Sequence, residues 1–507
     1  MLRALFLVLL SPLTAAAATY EVGPGKPLTT IGAVPWESLM PGDLVLIHAR
    51  PTPYAEKWAL NRSGVTVRGV PDASNNLPII TGLGATTRSQ LAYLQQDRSI
   101  VFVGATTMPA DTMATDVVFE SLHFRRAREG DAFTSAGGVA STYGSNAAAL
   151  YLAKGRRITV QRCIIEDFER GLVAGPDVED LTVERNVFRG NARGGGAVGS
   201  ANLDVEVIRL TARFNMFGSP VIGSEAENVR DNSAGSTYAY NFFAGGNRLL
   251  DLEGDSVHST RPEHARIRVF GNVLLKTSVG GNNALIQFDA VNGGNRTLEL
   301  WHNTFVSRRV QSRMVNGGLR PGLAVKLINC IVRGPMNGDL VLMDGEGSFQ
   351  HGGNWVQTTT QPTSPASTAL TVDDLGGSID GISPGFLDET LDDFRLTSGA
   401  APIDRAIPLP AGLDVPVLEF RHPAEAYPRG DDGKPDIGAF EQAMAPQIPD
   451  AGTMMPDGGT VPQVGLVGWK VGCSAAPGPL MLLVMLITRA LRRGEGAVKR
   501  GTRSRSP

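Results

Sequence analysis

A short pattern, Asn followed by one residue and then a hydrophobe, returns along the middle of the chain at a nearly constant interval. It occurs as Asn186-Val187-Phe188, Asn215-Met216-Phe217, Asn241-Phe242-Phe243, Asn272-Val273-Leu274, Asn303-Thr304-Phe305 and Asn329-Cys330-Ile331. Cys163-Ile164-Ile165 and Asn354-Trp355-Val356 read as degenerate copies at either end. From Asn186 to Asn354, subtracting each Asn number from the next gives gaps of 29, 26, 31, 31, 26 and 25 residues. The residues ahead of each copy alternate apolar and polar, as in Leu181-Thr182-Val183-Glu184-Arg185 and Leu298-Glu299-Leu300-Trp301-His302. Such alternation marks a strand with one buried face.

A unit of this length cannot bury its apolar face alone, whereas stacked copies can. Asn tolerates the left-handed backbone of a sharp corner, and stacked Asn side chains can hydrogen-bond from coil to coil. The pattern therefore predicts an all-β, right-handed parallel β-helix with the Asn at a corner and the following hydrophobes pointing inward. A β-sandwich with coincidental Asn-x-Phe turns is the competing architecture; the Leu spacing of a leucine-rich repeat is missing. The 60 Gly and 32 Pro supply the turns such a fold needs, and a net charge of −3 gives no bulk attraction for nucleic acid. Cys163 and Cys330 sit about six coils apart, near 29 Å at roughly 4.8 Å per coil, too far for a disulfide. Both are expected to be small buried hydrophobes.

Residues 1–18 read as a secretory signal: Arg3, an apolar run from Leu5 to Leu10, then Thr14-Ala15-Ala16-Ala17-Ala18. The β-helix domain is expected over 19–442, a Pro/Gly/Asp linker over 443–463 and a C-terminal tail over 464–507. Within the domain, residues 85–115 interrupt the period as a long loop or short helix, and 357–382 read as a loop. Phe394-Arg395-Leu396, Pro402-Ile403-Asp404 and Asp436-Ile437-Gly438-Ala439-Phe440-Glu441 form a closing segment expected to cover the open end of the stack. The opening run, with Pro41-Gly42-Asp43 before Leu44-Val45-Leu46-Ile47, resembles the first coils of secreted pectate-lyase-like β-helix proteins. The tail joins Gly472-Cys473-Ser474 to an apolar run from Pro479 to Ile487 and then Arg489, Arg492 and Arg493. That order resembles the C-terminal sorting signal of myxobacterial surface proteins. The resemblance implies that Cys473 is lipid-modified or processed, with tail-processing machinery and a membrane as partners.

The densest polar cluster spans Glu225 to Asp255. Asp251, Glu253 and Asp255 alternate with other residues on one strand face, and the next coil should set Gln287 beside Asp251 and Asp289 beside Glu253. Carboxylates stacked this closely repel unless a cation or a shared proton intervenes, and oxygen-rich sites suit Ca²⁺; Asp251, Glu253 and Asp289 are the candidate ligands. The frame Thr237-Tyr238-Ala239-Tyr240-Asn241-Phe242-Phe243 with Leu250-Asp251-Leu252 resembles one coil of the alginate-lyase and chondroitinase-B family. Its catalytic Lys position holds Asn232 here and its Arg position holds Glu253, so the scaffold is suggested without its known catalytic pair.

Elimination needs a base, a neutralising cation and an acid; Arg230, Arg248 and Tyr238 are the candidates, with Asp251 and Glu253. Hydrolysis needs two carboxylates, which the same cluster offers. Glu225, Glu227, Asp231, Asn232, Tyr240 and Gln287 are the expected substrate contacts. No His-Glu-x-x-His or Gly-x-Ser-x-Gly motif occurs. The sequence thus points to an exported, surface-tethered monomer that binds an acidic polysaccharide and degrades it, leaning toward a lyase. The alternative is a non-catalytic polysaccharide-binding or structural surface protein on the same fold.

Overall fold

The computed structural model describes residues 17–106, 112–192, 200–221, 224–254, 257–278, 281–290, 294–318, 322–430 and 432–442. Residues 1–16 of the expected secretory signal (1–18), Asp255, the expected linker (443–463) and the tail with Cys473 lie outside the described residues. Residues 17–387 and 393–442 form one compact unit. Residues 388–392 are the only described part of a second; there Asp388 Oδ1 accepts from Thr390 N at 2.8 Å.

The larger unit is a right-handed parallel β-helix whose strands pair, coil on coil, into three parallel series. One coil shows the plan: Ala201–Val205, Ile208–Arg213, then Met216–Phe217. The first strand belongs to sheet III, the second to sheet I and the third to sheet II. Each pairs in parallel with its counterpart one coil on, in Glu227–Asp231, Ala234–Ala239 and Phe242–Ala244 respectively. Inward rows stack like on like. Leu203, Val229, Leu250 and Ile286 are in register in sheet III. In sheet II, Phe188, Phe217 and Phe243 stack with ring centroids 5.0 and 4.8 Å apart.

The corner between sheets I and II is where the repeating Asn sits, but its role divides between two residues. The left-handed backbone belongs to the residue before: Arg185 (φ 54°), Phe214 (55°), Tyr240 (58°) and His302 (48°). The Asn supplies hydrogen bonds. Asn186 N and Nδ2 both donate to Asn215 Oδ1, at 2.9 and 3.0 Å. Asn215 repeats this with Asn241, Asn241 with Asn272 and Asn272 with Asn303. All are buried. The sixth copy, at Asn329, corrects the sequence register. Thr304 pairs with Ile331, so Cys330, not Asn329, occupies the ladder slot, and Asn329 takes the left-handed position (φ 54°). Cys163 fills the same slot, its N donating to Asn186 Oδ1 at 2.9 Å. Both thiols are free and buried, as expected of small core residues.

Two expected loops prove more regular. Residues 85–115 contain short 3₁₀ turns at Ser89–Leu91 and Gln96–Arg98 and the buried strand Ser99–Val103. Residues 357–382 are not a loop but one further coil, with strands Gln361–Thr363, Leu370–Asp374 and Ile379–Gly381. Its strands are mostly exposed, so they needed no hydrophobic alternation and left no periodic trace. The closing segment also differs from expectation. Rather than covering an open end, Phe386, Phe394, Leu396, Phe420, Ile437 and Phe440 pack with the outward side chains Phe242, Val273, Leu275, Val306 and Ile331 of sheet II. That outward face is apolar, and the segment lies along it.

Candidate functional site

Sheet III carries the expected polar cluster on its outward side. Val229 and Leu250 pair with their side chains in the core, so the next residue on each strand, Arg230 and Asp251, faces out. The predicted partner holds: Asp251 is in register with Gln287. Gln287 Oε1 in turn accepts from Asn316 Nδ2 at 2.7 Å on the following coil.

One guanidinium gathers the carboxylates. Arg248 Nη1 lies 3.0 Å from Asp251 Oδ2, 3.6 Å from Glu253 Oε1 and 4.0 Å from Glu227 Oε1. Glu227 and Asp251 are each 4 % exposed, while the Glu253 side chain is 41 % exposed. Burial pushes Glu227 up to about 7, with the Asp251 charge second. Burial likewise raises Asp251 to about 6, opposed by Arg248 and reinforced by Glu253. Both carboxyls are thus held protonated well above the usual carboxylate range by burial. Beneath them Lys276, fully buried, donates to the Gly246 and Asn247 carbonyls. Burial lowers its ammonium to about 7, with Arg309 and Arg248 adding repulsion.

A depression of about 710 Å³ adjoins the cluster, lined by Ser278, Asn282, Asn283, Arg308, Arg309 and Gln311 among others. Asn282 N donates to Asn247 Oδ1 at 2.9 Å, linking the depression to the chain just before Arg248. Exposed Glu225 lies on the same side, its Oε1 beside Gly281.

Several expected residues fall elsewhere. Tyr238 is fully buried inside the coil, its hydroxyl donating to Asp231 Oδ2 at 2.6 Å. Neither it nor Asp231, 1 % exposed, can meet a polymer on the surface. Their side chains point inward because strand parity at 229–231 and 236–238 sets them on the core side. Tyr240 belongs to the corner between sheets I and II, stacked on Phe214 with centroids 5.0 Å apart and edge-on to Phe270. Asn232 sits half-buried after the strand, its N donating to Val205 O. Asp289 Oδ1 accepts from Ala290 N at 2.6 Å. Among the described residues no three His, Cys, Asp or Glu side chains gather as a metal-binding group. Arg248 brings a positive charge to Glu227, Asp251 and Glu253.

The sequence reading passed over a second charged group one coil upstream of Arg230. Asp204 pairs with Arg230 in register and accepts from Arg170 Nη1. Leu203-Asp204-Val205-Glu206 has the same alternation as Leu250-Asp251-Leu252-Glu253, and that repetition was the available signal.

No family model matches the chain, and no curated protein matches it. Solved structures do. Pectate lyase Pel9A aligns with a TM-score of 0.45 and 11 % identity, over 85 % of this chain and 97 % of that one. DFA-IIIase from Arthrobacter chlorophenolicus A6, without its lid and in complex with GF2, gives 0.37 and 11 %, over 68 % and 85 %. The catalytic unit of the GH87 alpha-1,3-glucanase from Streptomyces thermodiastaticus strain HF3-3 gives 0.36 and 14 %, over 67 % and 64 %. The fold assignment stands on this chain's own strand register.

Proposed function

We propose that the outward face of sheet III binds a polysaccharide and that the Glu227–Arg248–Asp251–Glu253 cluster hydrolyses it. The observation carrying this reading is the pair of neighbouring carboxyls, Glu227 held protonated to about 7 and Asp251 to about 6, beside one guanidinium. Glu227 donates its proton to the glycosidic oxygen, and the more exposed Glu253 activates water. Arg248 keeps Asp251 ionised, and that charge stabilises the positive sugar ring of the transition state. Hydrolysis fits better than elimination because Tyr238 is enclosed and the family's Lys position is Asn232, so neither the acid expected of Tyr238 nor the family's base is at hand. The polymer is acidic in this reading, since Arg308 and Arg309 line the adjoining depression. Export through residues 1–18 and attachment through Cys473 complete the reading, with the enzyme working at the cell surface.

A second reading, binding without turnover, is favoured by one fact: Glu227 and Asp251 are each 4 % exposed. Turnover by the full chain on a panel of uronate and neutral polysaccharides separates the two. New reducing ends that vanish in Glu227→Gln support hydrolysis. Unsaturated-uronate absorbance would instead show elimination, and retention without either product would leave a binding surface.

A further inference from the structure

The outward row of sheet III changes sign along its length. Tyr151, Val173, Asp204, Arg230 and Asp251 follow one another in register, one per coil. At Asp251 carboxylates outnumber the guanidinium. Two coils earlier the balance is reversed. Asp204, 8 % exposed, accepts from Arg170 Nη1 and lies 3.7 Å from Arg230 Nη1. Arg98 adds its charge at the same carboxylate, its guanidinium 4.3 Å above the Tyr151 ring. Two arginines, from the strands Arg170–Glu184 and Glu227–Asp231, therefore meet Asp204, and a third, from the turn Gln96–Arg98, lies over the Tyr151 ring of the same outward row.

One guanidinium would suffice to neutralise Asp204. The others add positive charge along the row, Arg230 sharing its own with Asp251 one coil on, and like charges held near one another favour an anion between them. Donors remain for one: the buried Nε atoms of Arg98 and Arg170 have no acceptor among the described residues. Planar guanidiniums with unused N–H groups match the forked oxygens of a carboxylate or a sulfate.

We infer that Arg98, Arg170 and Arg230 form an anion subsite, which takes the carboxylate or sulfate of an acidic sugar two coils from the cleavage cluster. The inference rests on reading this face as a glycan groove. Two coils are about 10 Å, an interval a short oligosaccharide spans. The charged sugar then fixes the register of the polymer, displacing Asp204 as the partner of the arginines.

The test is retention of the full chain in native gels containing polygalacturonate, dextran sulfate or neutral dextran. Retention by a polyanion and not by neutral dextran is expected, and which polyanion retains more identifies carboxylate or sulfate as the group. Arg98→Gln/Arg230→Gln should weaken retention by about tenfold or more. A control with two exposed arginines changed elsewhere, Arg125→Gln/Arg156→Gln, should not. Asp204→Asn removes the competing carboxylate and should tighten retention, a direction that misfolding cannot mimic. Absence of retention by both polyanions at low salt would overturn the subsite, as would equal losses in the Arg98/Arg230 and control variants. Retention lost in Arg98→Gln/Arg230→Gln, with no turnover on any polymer, would sink the proposed hydrolysis and leave the subsite standing.

Discussion

Arg248 Nη1 donates to Asp251 Oδ2 at 3.0 Å while remaining within 4.0 Å of Glu227 Oε1, so a single guanidinium opposes the effect of burial on two carboxyls. Arg248→Met keeps the length of the side chain and removes that charge. Both carboxyls should then hold their protons to higher pH, and turnover should fall by about a hundredfold or more. Stability should drop by about 2–3 kcal/mol at alkaline pH, less than for a fully enclosed pair because Arg248 is partly solvated. In acid the loss should shrink, since protonated carboxyls no longer need the cation. Urea unfolding across pH would show it; a pH-independent loss would mean that Arg248 acts through packing alone.

Glu227 gives the matching prediction for the proton. The folded chain holds this proton to about 7, whereas the unfolded chain releases it near 4.5. Its contribution to stability is therefore full below about pH 4.5 and is lost as pH rises through about 7. Glu227→Gln should remove that dependence and make the chain relatively more stable in alkali, by up to about 3 kcal/mol. Turnover by the wild type should fall above about pH 7 as the acid loses its proton. A basic limb unchanged in position in Glu227→Asp, with the acid limb shifted, would reassign the acid to another group.

The ladder at the corner between sheets I and II makes a graded prediction. Asn215 Oδ1 accepts from two donors of Asn186, and Asn215 Nδ2 donates to Val183 O at 2.8 Å. Asn215→Ala strands those buried groups and should cost about 2–4 kcal/mol. Asn215→Cys should cost less than Asn215→Ala. Cys330 already fills one slot, with Sγ accepting from Asn303 N at 3.4 Å and donating to Leu300 O at 3.7 Å. Thermal unfolding of the two variants orders them, and equal losses would show that only the shape of the slot matters.

How much of this was legible in the chain differs from place to place. The coils were, because a buried ladder demands Asn in nearly every turn and the inward rows demand hydrophobes. Register at Asn329 was not, since Asn-Cys-Ile imitates Asn-x-hydrophobe while the slot holds the Cys. Comparison with Cys163-Ile164-Ile165 would have shown it, as both run Cys followed by two aliphatic residues. Asp251 and its partner Gln287 could be read because alternation fixes facing on a strand. The direction of Tyr238 could have been read the same way. Arg248 as the hub could not, because its place depends on the turn between sheets II and III, where no periodicity operates. The covering of sheet II was hidden for a related reason. Its outward Phe242, Val273 and Val306 look like core residues in sequence, and they are, but the core they join is completed by the distant segment from Phe386 onward.

Tyr238 separates a role in folding from one in chemistry. Its hydroxyl donates to Asp231 Oδ2 at 2.6 Å, and Ser233 N donates to Asp231 Oδ1 at 2.8 Å. Tyr238→Phe leaves one buried carboxylate oxygen without its donor and should cost about 1–3 kcal/mol. Turnover per folded molecule should stay within about twofold of wild type. A hundredfold loss of turnover with unchanged stability would return Tyr238 to the catalytic group.

The segment along sheet II sets the last test. Phe420, 2 % exposed, lies with its ring centroid 5.7 Å from that of Phe242. Tethers lie on either side: Trp301 Nε1 donates to Asp414 O at 2.9 Å, and Ala439 N donates to Thr304 Oγ1 at 3.0 Å. If the segment is part of the same cooperative core, Phe420→Ala should cost about 3–5 kcal/mol and lower the midpoint of a single unfolding transition. If it is a separately stable cover, the variant should instead loosen residues 386–440 alone, leaving the coils at their original midpoint. Hydrogen exchange followed coil by coil distinguishes the two, and the buried cluster that the segment shares with Phe242, Val273, Leu275, Val306 and Ile331 favours the single transition.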